Sequence, residues 1–135
     1  DINELLSGIS PGYVGCQYDV RHATVEGANT WNLGMRLISD RINSLAIKDF
    51  TWKQINGKPE AVTVPLGEGI VDWDKYFGTI KELRIEGPVT LHVEYPLLEN
   101  VEEGLPLIKQ QDIIVRKLKK DMDFLNGYID KYKLR

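Results

Sequence analysis

Three short β-type runs, Val14–Val20, Ser44–Phe50 and Val89–Tyr95, are each followed by a loop and then by a segment of helical periodicity. Between them no two-residue hairpin turn is read, so neighbouring strands need long crossovers rather than tight reversals. That alternation argues for βαβ units and a parallel sheet, and the fold class is α/β. The first helix is expected to start near Asn29 or Thr30, with Leu33, Leu37, Ile38 and Ile42 as its apolar positions. Asn56-Gly57, Pro59 and Pro65 read as a polar loop. Asp72 or Asp74 then caps a helix with Tyr76, Phe77, Ile80 and Leu83 on its apolar stripe. A long amphipathic helix runs from about Lys109 to Tyr132, with Ile114, Leu118, Met122, Leu125 and Ile129 along one side. Asn3 to Ser7 look like the tail of another helix.

Length and charge narrow the classes. A chain of 135 residues is one domain or part of a larger one. It opens on Asp1 with no signal-type segment after it, so either something was removed upstream or, as the family likeness below favours, the chain begins inside a longer protein; a cytoplasmic location is expected. No apolar run reaches the ~18 residues of a membrane span. Seventeen basic against twenty acidic residues leave a net charge of -3, not the electrostatic footprint of a duplex-binding protein. A single cysteine, Cys16, excludes a disulfide framework and any multi-thiolate zinc site.

Side chains alternate along a strand, so each run divides into two faces. Cys16, Tyr18 and Val20 oppose Gln17 and Asp19; Leu45 and Ile47 oppose Ala46 and Lys48; Leu91, Val93 and Tyr95 oppose Thr90, His92 and Glu94. Strands of a parallel sheet covered on both faces should be almost wholly apolar. Here one face turns polar toward each C-terminal end, where parallel α/β folds bind ligands. Buried without partners, such groups cost roughly several kcal/mol each. Gln17, Asp19, Lys48, His92 and Glu94 must therefore pair with one another, as Lys48 with Asp19 or Glu94, or with water, a metal or a substrate.

Four segments carry a family likeness. Tyr18-Asp19-Val20-Arg21-His22-Ala23, Ile47-Lys48-Asp49-Phe50, Pro65-Leu66-Gly67-Glu68-Gly69 and Gly87-Pro88-Val89-Thr90-Leu91-His92-Val93-Glu94-Tyr95 occur in that order. Together they resemble the C-terminal half of the xylose isomerase-like TIM barrels, the sugar phosphate isomerase/epimerase superfamily. The resemblance implies that residues 1–135 form a single partial domain, about strands six to eight of a (β/α)8 barrel with their helices. A complete barrel takes about 250 residues. Half a barrel exposes two strand edges, so pairing with a second copy is expected.

The resemblance also implies a chemistry: metal-assisted proton transfer on a keto/aldo sugar or sugar phosphate, with Mn²⁺, Mg²⁺, Co²⁺ or Zn²⁺ polarising oxygens and carboxylates acting as acid and base. Asp19 and His92 take the metal-ligand positions. Lys48 and Glu94 take the catalytic ones, and Arg21, His22, Trp52 and Glu68 contact substrate. Against each stands a plainer reading: Asp19 as a helix cap, His22 and Arg21 as surface groups, Glu68 as a loop carboxylate, Trp52 as a rim aromatic. Two departures count against the metal. Active relatives carry a histidine where Ala46 stands, two residues before Lys48, and His92 occupies the place of a glutamate. The alternative is a non-catalytic barrel that binds carbohydrate or serves as a scaffold. An apurinic endonuclease-like activity is disfavoured by the acidic balance.

Overall fold

The computed structural model of the chain describes residues 2–134. In chain order the elements are α1 (Ile2–Leu5), β1 (Cys16–Asp19), α2 (Val20–Gly27), α3 (Trp31–Leu37), β2 (Ile42–Ile47), β3 (Asp49–Ile55), β4 (Lys58–Val64), α4 (Trp73–Leu83), β5 (Val89–Leu91), α5 (Asn100–Glu103) and α6 (Leu107–Tyr132). They divide into two compact units, Asp1–Ile47 with Val71–His92 and Lys48–Ile70 with Val93–Arg135.

The first unit holds a parallel sheet in the order β1-β2-β5. Asp19 lies opposite Ala46, and Ala46 opposite Thr90, so the three runs are neighbours as the sequence suggests. The helix after β1 begins without a loop. Asp19 has extended backbone dihedrals and its Oδ1 accepts the His22 N–H at 3.1 Å, which caps α2 at Val20. The helix expected to start near Asn29 or Thr30 is present as α3, with Thr30 at its N-cap position, but α2 precedes it. Asn29 and Thr30 themselves lie in a 3-10 turn between α2 and α3. The expected stripe fails nonetheless: Leu33 and Leu37 are 62% and 58% exposed, whereas Trp31 and Met35 are buried. Ile42 opens β2 rather than ending a helix. The stripe through Tyr76, Phe77 and Ile80 is buried as expected, on a helix capped by Asp72 Oδ1 from the Lys75 N–H. Tyr76 centres an aromatic cluster with Tyr18, Trp31, Trp73 and Phe77, at ring separations of 5.3 to 6.5 Å.

The second unit contains the main correction. Asn56-Gly57 is a two-residue hairpin turn joining β3 to β4, which pair antiparallel from Asp49–Val64 to Ile55–Lys58. Both turn residues have positive φ, 52° and 76°, the geometry that suits the right-handed twist of a hairpin and that Asn-Gly adopts readily. The polar loop expected from Asn56-Gly57, Pro59 and Pro65 is thus in part a strand, with Pro59 inside β4 opposite Gln54. Proline is tolerated in a two-stranded ribbon, where every strand is an edge. The run Ser44–Phe50 is accordingly divided, with β2 ending at Ile47 and β3 beginning at Asp49. The third run is shorter than read, with only Val89–Leu91 in strand. The long helix is present as α6, but its buried positions are Asp121 and Leu125 and Met122 is exposed.

Candidate functional site

Chemistry-bearing groups occur in both units. In the first, Asp19 ends β1 and is committed to the N-terminus of α2. Its Oδ2 lies 3.8 Å from His22 Nε2 on an exposed imidazole. Arg21, half-buried, follows in the same helical turn. His92 comes one residue after β5, its backbone N–H donating to the Ile47 carbonyl at 2.9 Å. Ala46, fully buried, lies in register between Asp19 and Thr90 and offers no ligand atom. Among the described residues no three His, Cys, Asp or Glu side chains group closely enough to hold a metal ion. With Asp19 Oδ1 already engaged as a cap, the donors present do not fit a divalent cation.

The second unit carries the closest charged pair near a strand end. Lys48, 4% exposed, donates to Glu94 Oε1 at 2.9 Å and Oε2 at 3.0 Å. The Glu94 side chain is 48% exposed, so the pair presents one buried cation and one carboxylate open to water. This is one of the two lysine pairings that the sequence allowed.

Beside it the Pro65–Gly69 loop is held by two buried carboxylates that sequence reasoning passed over. Asp49 Oδ1 accepts the Phe50 N–H at 2.8 Å, and its Oδ2 accepts those of Gly67 and Gly69 at 3.0 and 3.1 Å. Asp121 Oδ1 accepts the Leu66 N–H at 3.1 Å while Oδ2 accepts the Tyr95 hydroxyl at 2.7 Å. Burial first, then this hydrogen bond to Asp121, push the Tyr95 hydroxyl well above its ordinary value. A β-carbon on Gly69 would run into Asp49 Oδ1 and the Phe50 carbonyl, so the loop can approach its anchor only as glycine. The one visible signal for Asp121 was its place inside the apolar stripe of α6, a turn from both Leu118 and Leu125. For Asp49 the signal was its place in the Ile47-Lys48-Asp49-Phe50 segment of the family likeness.

Glu68 projects from this loop and pairs with Lys120 at 2.5 Å, which raises the lysine's pKa. Both side chains are exposed. Trp52 stands on β3, 47% exposed, with its ring edge-on to Phe50 at 5.8 Å. Of the eight predicted site residues, Lys48 and Glu94 are joined directly, as are Asp19 and His22. No described helix is long and apolar enough to cross a membrane.

Comparison with known proteins agrees with this architecture. A family described as a xylose isomerase-like TIM barrel matches residues 1–111. The crystal structure of a xylose isomerase domain protein from Planctomyces limnophilus superposes with a TM-score of 0.69 at 22% identity, covering 99% of this chain and 44% of that one. At that identity the likeness shows the fold, and the chain spans less than half the length of the relative. None of the curated proteins matches the sequence significantly.

Proposed function

Because the chain belongs to the xylose isomerase-like TIM barrel family, we propose that it is the portion of a sugar or sugar phosphate isomerase/epimerase around strands six to eight, with β1, β2 and β5 as those strands. Residues 1–135 are on this reading one partial domain, and turnover needs the remainder of the barrel. The Lys48–Glu94 pair carries the reading. Moving a proton between adjacent sugar carbons calls for a carboxylate within reach of a bound polyol and a cation to stabilise the enediolate-like oxygen. Glu94 is open to solvent and is the base. Lys48, fixed by Glu94 and shielded from water, donates to the substrate oxygen. Arg21, His22, Trp52 and Glu68 are the substrate contacts of the same reading.

Saturation-transfer NMR with a panel of aldoses, ketoses and their phosphates tests this, with proton–deuterium exchange at the carbons beside the carbonyl as second readout. Binding weakened by both Lys48→Met and Glu94→Gln supports the reading. Binding indifferent to both would remove it, and turnover by these 135 residues alone would refute the need for more of the barrel. A second reading, a non-catalytic carbohydrate-binding or scaffold barrel, is favoured by one observation: buried Ala46 where active relatives place a metal-binding histidine. Sugar binding without exchange in a longer protein containing this chain would select it.

A further inference from the structure

Barrels of this architecture frequently hold a phosphate on backbone N–H groups of the loops after strands seven and eight, together with the N-terminus of a short extra helix. On the proposed strand assignment, residues 65–70 belong to the connection after strand seven and α5 to the connection after strand eight. A glycine-flanked turn such as Gly67-Glu68-Gly69 is ordinary material for an anion cradle. Here its donors are already engaged. Every N–H from Leu66 to Ile70 has an acceptor inside the second unit. Leu66 donates to Asp121 Oδ1 at 3.1 Å, and Gly67 and Gly69 donate to Asp49 Oδ2 at 3.0 and 3.1 Å. Glu68 donates to the Pro65 carbonyl at 3.1 Å and Ile70 to the Phe50 carbonyl at 2.9 Å. The two carboxylates among these acceptors are buried, and they stand where the oxygens of a bound anion would stand. Glu68, the one charged side chain of the loop, adds a third carboxylate and already holds Lys120 as its counter-charge. The N-terminus of α5 is closed as well, since Glu99 and Glu102 each accept the backbone N–H of the other. The Tyr95 hydroxyl senses the resulting field: after burial and its bond to Asp121, the charges of Asp121 and Glu68 both raise its pKa.

We infer that the Pro65–Gly69 loop is a selectivity element that turns phosphorylated sugars away, and that the ligand of the Lys48–Glu94 pair is an uncharged sugar. Rejection of phosphate does not depend on the sugar reading above; the identity of the ligand does. A phosphoryl group brings about −1.5 to −2 of charge at neutral pH and offers almost only acceptors. The loop meets it with acceptors and negative charge of its own, and with no backbone donor left between Leu66 and Ile70. A sugar hydroxyl is the complementary group, because it can donate to the Glu68 carboxylate. Asp49 and Asp121 thus act as positioning residues: they fix the backbone of the loop and occupy its anion-binding face at the same time.

Saturation-transfer competition with matched pairs, glucose against glucose 6-phosphate and fructose against fructose 6-phosphate, reads the selectivity as a ratio of affinities. The phosphorylated member should bind about tenfold or more weakly. Glu68→Gln should bring the ratio toward one, whereas Lys120→Met, which strips Glu68 of its counter-charge, should widen it. A general loss of structure would not move the ratio in opposite directions. Phosphorylated sugars bound as tightly as neutral ones, or a ratio indifferent to both variants, would overturn the inference. Where neither member of any pair binds, the sugar reading fails and inorganic phosphate decides alone, followed at the amide resonances of residues 66–70. Resonances unmoved by millimolar phosphate uphold a loop closed to anions, and saturable shifts overturn it.

Discussion

Removing the Asp49 carboxylate is the sharpest test of how the second unit is built. The side chain is fully buried and receives the N–H groups of Phe50, Gly67 and Gly69 at 2.8 to 3.1 Å. Hydrogen bonds to a charged acceptor are worth about 1.5–3 kcal/mol each, set against the cost of keeping that charge out of water. Asp49→Ala removes the charge and with it the desolvation cost, but it leaves three donors facing a small cavity. Each unpaired donor costs about 1–3 kcal/mol, reduced where water enters. The expected net loss is about 3–5 kcal/mol. A domain of this length is stable by roughly 7–20 kcal/mol, so the urea midpoint should fall by about 2 M. Asp49→Asn, which keeps one acceptor oxygen, should lose about half as much. Amide exchange locates the damage: Gly67 and Gly69 should lose protection, while Leu45 in the first unit's sheet keeps its own. A stability within about 1 kcal/mol of the parent, with Gly67 and Gly69 still protected, would refute the argument that this carboxylate holds the loop.

Two further outcomes follow from other sites. Tyr76 is fully buried and its hydroxyl has no hydrogen-bond partner among the described residues, with burial pushing its pKa well above the ordinary tyrosine value. Tyr76→Phe should therefore be neutral or stabilising by up to about 1 kcal/mol in urea unfolding, and a clear loss would show that the hydroxyl is satisfied in solution. Glu102 reaches back to the Glu99 N–H at 2.8 Å and lies near Lys117; that backbone hydrogen bond, then the lysine charge, lowers its pKa below the ordinary 4.5. A depressed carboxyl contributes stability that is present above its unfolded value and is lost as pH falls through the folded one. The cap of α5 should thus persist at pH 5 and open at lower pH than 4.5. Carboxyl ¹³C titration with Glu99 amide exchange measures this, and a Glu102 midpoint above 4.5 would contradict it.

The local code of this chain is legible wherever one element can be read by itself. The strand and helix alternation, the Asp72 cap, the stripe through Tyr76, Phe77 and Ile80, and the long C-terminal helix all follow from periodicity and capping chemistry. So does the family likeness, because four short segments in order are a property of the sequence alone. Reading failed where two signals competed. Asn29 and Thr30 mark the start of α3, but Asp19, an equally good cap, begins a helix directly off the strand before it. Asn56-Gly57, Pro59 and Pro65 together read as a loop, and only the partner β3 shows that Asn56-Gly57 is a hairpin turn and that an edge position tolerates Pro59.

The site divides in the same way. Residue types and strand alternation alone nominated Lys48 and Glu94 as a possible pair. That Glu94 reaches Lys48 is tertiary, since a lysine is paired by whichever carboxylate the chain brings within 3 Å. Asp49 and Asp121 lay beyond the sequence for a similar reason. A carboxylate buried for its own charge and one buried to receive distant backbone N–H groups look identical until the Pro65–Gly69 loop is placed against them. Sequence determines which groups are available and which local structures they favour. Which of them are desolvated, and against what partner, is decided only when segments far apart in the chain are packed together.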